Sequence, residues 1–359
     1  MTDLRFLTGL RGVAALYVCI YHIQVYVQPY IYPEFAQFLH EGYLAVDFFF
    51  ILSGFVIALN YFNKINLTDK REIAIFYAKR IARIYPLHLL LLLLSLSVPL
   101  AYFITERTLA EGGRYSIDAF FMSIFMIQNW GFTNTLVWNI PSWSISTEFF
   151  AYLMFPFIVA IIKWVSDKFH FKGVLILTIS LFFSIAFVYS SFKADDLGLY
   201  IPELGLLRCI IGFFIGVLIW FFYHEYKNWI SARSKLLFYL GLVILVLGSY
   251  SSLLNYWYIH LAFSLIIIGS VYYKNGITRF CSTKTILWLG EISYSIYLIH
   301  YLVKDWFKIL FLEGQEASIL WIFTYLVVVL FLSHFSYKWI EIKSKNVLVR
   351  VINNRLLDK

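Results

Sequence analysis

Ten apolar runs of membrane-crossing length divide the chain and leave few folds open to it. They fall near 8–27, 43–61, 84–104, 143–162, 173–191, 204–223, 235–253, 258–273, 285–303 and 318–337. About 17–25 apolar residues span the roughly 30 Å hydrocarbon core of a bilayer as a helix. A helix satisfies its own backbone N–H and C=O groups there, where no water can. The run at 258–273 is the shortest of the ten. Hydrophobic residues make up 61% of the 359 and charged residues 14%, where a soluble domain carries about 25% charged. These values exclude a disordered chain, a collagen, a coiled coil and a disulfide-stapled scaffold. The expected fold is all-α: a polytopic transmembrane bundle of ten spans in one domain over 1–340, with a basic tail over 341–359.

The net charge of +8 fits basic loops on one side of a membrane better than a nucleic-acid partner. With the N-terminus in the cytoplasm, 23 of the 29 Lys and Arg residues fall in inside segments and five in outside segments, with Arg208 inside a span. The positive-inside rule then sets both termini in the cytoplasm. The outside five are Arg107, Arg114, Lys193, Lys304 and Lys308. Cys19, Cys209 and Cys281 have no disulfide or metal-ligand spacing, and no metal is expected. Arg5 and Arg11 before an apolar stretch imitate a signal peptide. The stretch lacks a small-residue cleavage site and contains His22, so it reads as a retained first span.

Residues 117–142 do not fit simple counting. The spans on either side both need their near ends outside, so this segment is expected to dip into the membrane and return. Irregular backbone at that depth requires protein or a water-filled cavity around it. The alternative is a short amphipathic segment on the outer surface.

Ionisable residues within spans are functional candidates because a charge at membrane depth is costly. Arg11 and His22 are eleven residues apart, within about 20° of three full helical turns, so they share a face about 16 Å apart. A lone buried histidine is ordinarily structural; the shared face with Arg11 argues otherwise. Asp47 enters the second span at about the depth of His22, where a carboxylate could orient the imidazole. Gly54, seven residues on, would let a neighbouring helix approach closely. Arg80 and Arg83 project together at the cytoplasmic mouth and suit phosphate oxygens, although lipid headgroups would attract them too. Ser144, Glu148 and Tyr152 step along one helix face, with Glu148 again expected at the His22 level. Ser293, Tyr297 and His300 share another face. Arg208 is expected to pair with an acidic group such as Glu203 or Glu148.

In this order the motifs resemble the acyltransferase-3 family of integral membrane acyltransferases. The resemblance rests on Arg11 and His22, on Asp47 through Phe55, on Arg80-x-x-Arg83, on Trp143-Ser144 through Glu148, and on Ser293-Tyr294-Ser295-Ile296-Tyr297-Leu298-Ile299-His300. It extends from residue 5 to about 340. It implies transfer of an acyl group, often acetyl, from cytoplasmic acyl-CoA to a hydroxyl of a surface glycan such as an exopolysaccharide or lipopolysaccharide. It also implies a bacterial inner-membrane setting, with no tightly bound cofactor and no room for a fused SGNH-type domain. On that reading Arg11, Arg80 and Arg83 hold the donor. His22 is general base or acyl acceptor, Asp47 or Glu148 orients it, and Ser144, Tyr297 and His300 contact substrate. A transporter or flippase for a lipid-linked saccharide is the main rival, and a sensor or scaffold the second. No matched pair of broken helices favours transport.

Overall fold

A computed structural model of the chain describes residues 4–106, 113–193, 197–250, 258–312 and 317–352. Arg107, residues 251–253 of the seventh expected run and residues 353–359 of the tail lie outside them. The regular elements among the described residues are all helices, with no strand. Six helices are long and apolar enough to cross a membrane, or eight if each of two bent pairs counts as one span.

The first expected span is one of those bent pairs. Helix α1 (Arg5–Tyr21) ends at His22, and the chain then turns by 75° into a short segment, Gln24–Tyr30, that begins with α2 (Gln24–Val27). Ile23 has left helical dihedrals at φ −114° and ψ 10°. Pro29 and Pro33 downstream then prevent a straight continuation, because each lacks an N–H and clashes with the preceding turn. His22 therefore caps a helix end instead of lying within an unbroken span. Helix α3 (Pro33–His40) leads into α4 (Ala45–Tyr61).

Helices α5 (Lys70–Ser95) and α6 (Ser97–Ile104) form one apolar stretch. Helix α7 (Ile117–Ile124) precedes irregular backbone over 125–141. That irregular segment is packed against protein: Gln128 and Asn129 are 2% exposed and Asn139 4%. Its polar groups hold the start of α8 (Ser142–Ser191). Trp130 Nε1 donates to the Ser146 carbonyl at 2.9 Å, and Ser146 Oγ donates to the Met126 carbonyl at 2.9 Å. Asn139 Nδ2 donates to the Leu298 carbonyl at 3.0 Å. A straight helix of 50 residues would be about 75 Å long, over twice the hydrocarbon thickness. His170, at φ 52° and ψ −151°, breaks it into two.

Helix α9 (Ile201–Glu225) is the most enclosed of the spans and packs along both α4 and α8. The neighbour that Gly54 admits is this helix. A Cβ at Gly54 would lie 2.0 Å from the Phe213 carbonyl oxygen, and one at Gly216 would lie 2.0 Å from the Ile51 carbonyl oxygen. The two backbones touch through these reciprocal glycines, the small-residue packing that lipid-solvated helices use.

Helix α10 (Lys227–Tyr250) pairs with α11 (Tyr258–Ser270). The latter has 13 residues and a length of about 20 Å, short of the hydrocarbon thickness. After α12 (Gly276–Phe280) comes the second bent pair, α13 (Lys284–Glu291) and α14 (Ser293–Phe311), which meet at 65°. The expected span over 285–303 is thus two helices; the longer one starts at Ser293, whose hydroxyl donates to the Gly290 carbonyl at 2.8 Å. Helix α15 (Ile319–Ser336) passes through a π-helical turn, Tyr337–Glu341, into α16 (Ile342–Ile352). The polar C-terminal stretch does not leave the bundle: α16 lies against α5.

Candidate active site

Helices α1, α4, α5, α8, α14 and α16 enclose a cavity of about 520 Å³. From α8 and α14 it is lined by residues expected to share a face, whereas Asp47, His22 and His300 do not border it. Ser144, Glu148 and Tyr152 line it from α8, and Ser293 and Tyr297 from α14. Arg11 faces it from α1, and Arg80 and Arg83 face it from α5. With Lys79 and Lys345, five basic side chains border the cavity against the single carboxylate of Glu148. The site is therefore suited to an anion.

The three arginines are in different states. Arg83 is ion-paired with Glu341 at 2.5 Å, and the other Glu341 oxygen accepts from Ser295 Oγ at 2.6 Å. Arg80 lies with its guanidinium carbon 5.5 Å from the Tyr61 ring centre and 6.0 Å from that of Tyr152. Its Nε is buried with no hydrogen-bond partner among the described residues. Arg11 lies within electrostatic reach of Arg83, Glu148 and Glu341.

Glu148 accepts from Ser53 Oγ at 2.5 Å and from Tyr152 OH at 2.6 Å. Ser53 is six residues further along α4 than Asp47, a rise of about 9 Å. Glu148 thus sits well inside the level of Asp47, although equal depth is expected from sequence. The reason is that α8 enters after a folded irregular segment that sets its starting depth.

At the opposite end from the lysines, Ser144 Oγ and Tyr297 OH are hydrogen-bonded at 2.8 Å. The Tyr297 ring meets Phe49 at 5.8 Å and His300 at 6.1 Å. His300 stacks on His22 with ring centres 5.1 Å apart. The His22 ring also meets the edges of Tyr21 at 4.9 Å and Tyr301 at 5.1 Å. His22 does not itself border the cavity; the Tyr297 ring touches the cavity on one side and the histidine pair on the other. His300 Nδ1 is 3.1 Å from the Ile296 carbonyl, which only accepts, so Nδ1 carries the proton. Its Nε2 is then a bare acceptor, buried with no partner among the described residues. Tyr325 OH donates to the His300 carbonyl at 3.0 Å and stiffens the same turn.

Asp47 is placed elsewhere. Its carboxylate takes two hydrogen bonds from Arg208, Nε at 2.8 Å and Nη2 at 2.6 Å. Asp47 is 0% exposed and Arg208 1%. Arg208 thus pairs with Asp47, not with Glu203 or Glu148, because α9 packs on α4 and brings the guanidinium to that level. The imidazole that Asp47 faces is His260, at 3.4 Å, and no hydrogen bond joins Asp47 to His22 among the described residues. Remaining Arg208 donors reach the carbonyls of Leu197 at 2.7 Å and Tyr43 at 3.2 Å.

Ser53, Glu341 and Lys345 complete the site without having been singled out from sequence. Ser53 lies one turn from Phe49 on the cavity side of α4, a position its spacing would have revealed. Glu341 and Lys345 gave no local signal, because the tail reads as an ordinary basic end.

A family model described as an acyltransferase domain, Acyl_transf_3, matches residues 4–337. The chain belongs to the acyltransferase-3 family. Among its curated relatives, the acyltransferase MdmB of Streptomyces mycarofaciens is 36% identical over 155 residues, covering 42% of this chain and 38% of the relative. The O-acetyltransferase OatA of Staphylococcus aureus is 23% identical over 358 residues, covering 93% of this chain and 56% of the relative. The chain thus spans 38% and 56% of the lengths of these two relatives. No solved structure matches it.

Proposed function

We propose that this acyltransferase moves an acyl group, most simply acetyl, from cytoplasmic acyl-CoA to a hydroxyl of a saccharide acceptor. The observation that carries the reading is the cavity itself. It runs from a basic mouth at Lys79, Arg80 and Lys345 to the Ser144–Tyr297 pair, which abuts His300 and His22. An acyl-CoA has this polarity: phosphates at one end, a long amide-bearing arm, and a thioester at the other. The OatA relative, named an O-acetyltransferase, supports acetyl and an oxygen acceptor. Acyl-CoA is a substrate here, with no tightly bound cofactor.

In this mechanism the basic mouth holds the phosphates, and Arg11 and Glu148 face the arm. Glu148 already takes two hydroxyl hydrogen bonds, from Ser53 and Tyr152, and it is set to accept an amide N–H. The thioester carbonyl arrives near Ser144 and Tyr297. His22, half-buried and stacked on His300, takes the proton of the acceptor hydroxyl. The alkoxide oxygen bonds to the acyl carbon, the carbon–sulfur bond breaks, and the departing sulfur takes the proton back from His22, so that CoA leaves as the thiol. A covalent acyl-histidine is the two-step version. Asp47 acts through Arg208, bracing α4 against α9. The reading places ten spans in the bacterial inner membrane, and the Lys/Arg distribution supports an orientation with both termini in the cytoplasm and the donor mouth facing inward.

Membranes containing the protein, incubated with acetyl-CoA radiolabelled in the acetyl group, should transfer label to endogenous glycan. A transporter would leave the glycan unlabelled, as would a scaffold. Mass spectrometry of surface glycans from a deletion strain and its parent identifies the acceptor position.

A further inference from the structure

Lys345, which borders the cavity, and Glu341, the ion-pair partner of the cavity-lining Arg83, lie beyond the region that the family domain covers, which ends at 337. We propose that helix α16 is part of the donor site: Lys345 binds a donor phosphate, and the Arg83–Glu341 pair is the latch that holds the helix in place. The proposal rests on the acyl-CoA reading above.

Three observations carry it. First, Arg83 is not a free cation. Its partner Glu341 has a side chain only 1% exposed, held at 2.5 Å, with Ser295 on the other oxygen at 2.6 Å. A phosphate entering the mouth therefore meets Arg80, Lys79 and Lys345. Second, Arg80 is the arginine prepared for a ligand. Its Nε is buried without a partner among the described residues, and Tyr61 and Tyr152 hold its plane. Third, the chain is wound to bring Lys345 there. Glu341 and Lys345 are four apart and share a helix face, so anchoring one places the other a turn further out. The π-helical turn at Tyr337–Glu341 carries one extra residue, which rotates α16 by about 100° relative to α15. Such wide turns are frequent at functional sites. Lys343, two residues from each and so about 200° around the helix, is on the opposite face and sits 3.7 Å from the Trp339 ring centre.

The test uses the full chain in detergent micelles, with calorimetric titration of two probes: CoA, and pantetheine, which has the arm but no phosphate. Lys345→Ala should weaken CoA binding about three- to tenfold, as expected for one solvent-facing charge–phosphate contact. It should leave pantetheine binding unchanged, and Lys345→Arg should retain CoA affinity. Lys343→Ala, on the same helix, should bind both probes as the unaltered chain does. Equal CoA affinity in Lys345→Ala and the unaltered chain would overturn the proposal. An equal loss in Lys343→Ala would overturn it too, since the helix charge as a whole would then be responsible. So would a parallel loss of pantetheine binding, which would indicate a distorted cavity. An unaltered chain that binds no CoA at all would instead overturn the donor reading itself, a result visible before any variant is compared.

Discussion

Replacing Asp47 by Asn separates a structural carboxylate from a chemical one. The substitution keeps the side-chain shape and removes the charge, leaving the Arg208 guanidinium without its counter-ion at 1% exposure. Breaking a buried pair by removing one partner costs about 3–5 kcal/mol, because the remaining charge is uncompensated. Here the lower end applies. Arg208 keeps its hydrogen bonds to the Leu197 and Tyr43 carbonyls, and the Asn oxygen can still accept one more. About 3 kcal/mol corresponds to roughly a hundredfold loss in the folded-to-unfolded ratio. The expected outcome is a lower melting temperature in detergent, by intrinsic fluorescence and by loss of the monodisperse gel-filtration peak, with transfer activity falling in parallel. Replacing both partners by apolar residues, Asp47→Leu with Arg208→Met, should recover most of the melting temperature, since a buried ion pair is commonly no better than a packed apolar one. That recovery would appear as a positive coupling energy in the double-mutant cycle. An Asp47→Asn protein that melts like the unaltered chain yet transfers no acyl group would refute the reasoning. The carboxylate would then act in the chemistry, and its pairing with Arg208 would be incidental to stability.

His22→Ala should lower acyl transfer by about 10²–10⁴, the usual cost of losing a general base, with an unchanged melting temperature; near-normal glycan acylation by a well-expressed variant would remove His22 from the mechanism. Gly54→Leu should prevent α4 and α9 from meeting, because even a Cβ there comes 2.0 Å from the Phe213 carbonyl oxygen; a variant that elutes and melts normally would show that the backbones are not in contact. Tyr297→Phe removes the hydroxyl bonded to Ser144 at 2.8 Å and should reduce turnover more than CoA affinity, read by comparing kcat with the CoA dissociation constant. Single cysteines at Asn66 and at Gly112, the latter outside the described residues, in a background lacking Cys19, Cys209 and Cys281, should label oppositely with an impermeant maleimide on intact cells. Position 112 should be modified and position 66 spared, and equal labelling would reverse the donor and acceptor sides.

What could be read from the chain alone was what depends on local spacing and on the solvent. Length and apolarity of the runs require helices, because only a helix meets its own backbone demands within a few residues. Which side chains of one helix share a face also follows from a period of 3.6 residues, so Ser144, Glu148 and Tyr152 do line one wall, as do Ser293 and Tyr297. Partnership between helices is different in kind. Arg208 reaches Asp47 across 161 residues of chain and Arg83 reaches Glu341 across 258; from sequence Glu203 and Glu148 were open as partners for Arg208, and no carboxylate was expected for Arg83. Only the packing of α9 on α4 through Gly54 and Gly216, and of α16 on α5, selects among them. The bends at His22–Ile23 and Ile292 were also unreadable: an apolar run looks the same whether it is straight or turns by 75°. Pro29 and Pro33 rule out a straight continuation of the first run, but no local signal sets where the chain turns or by how much. Depth within the bundle was decided in the same way, since the folded segment over 125–141 sets where α8 begins and therefore which residues Glu148 can meet.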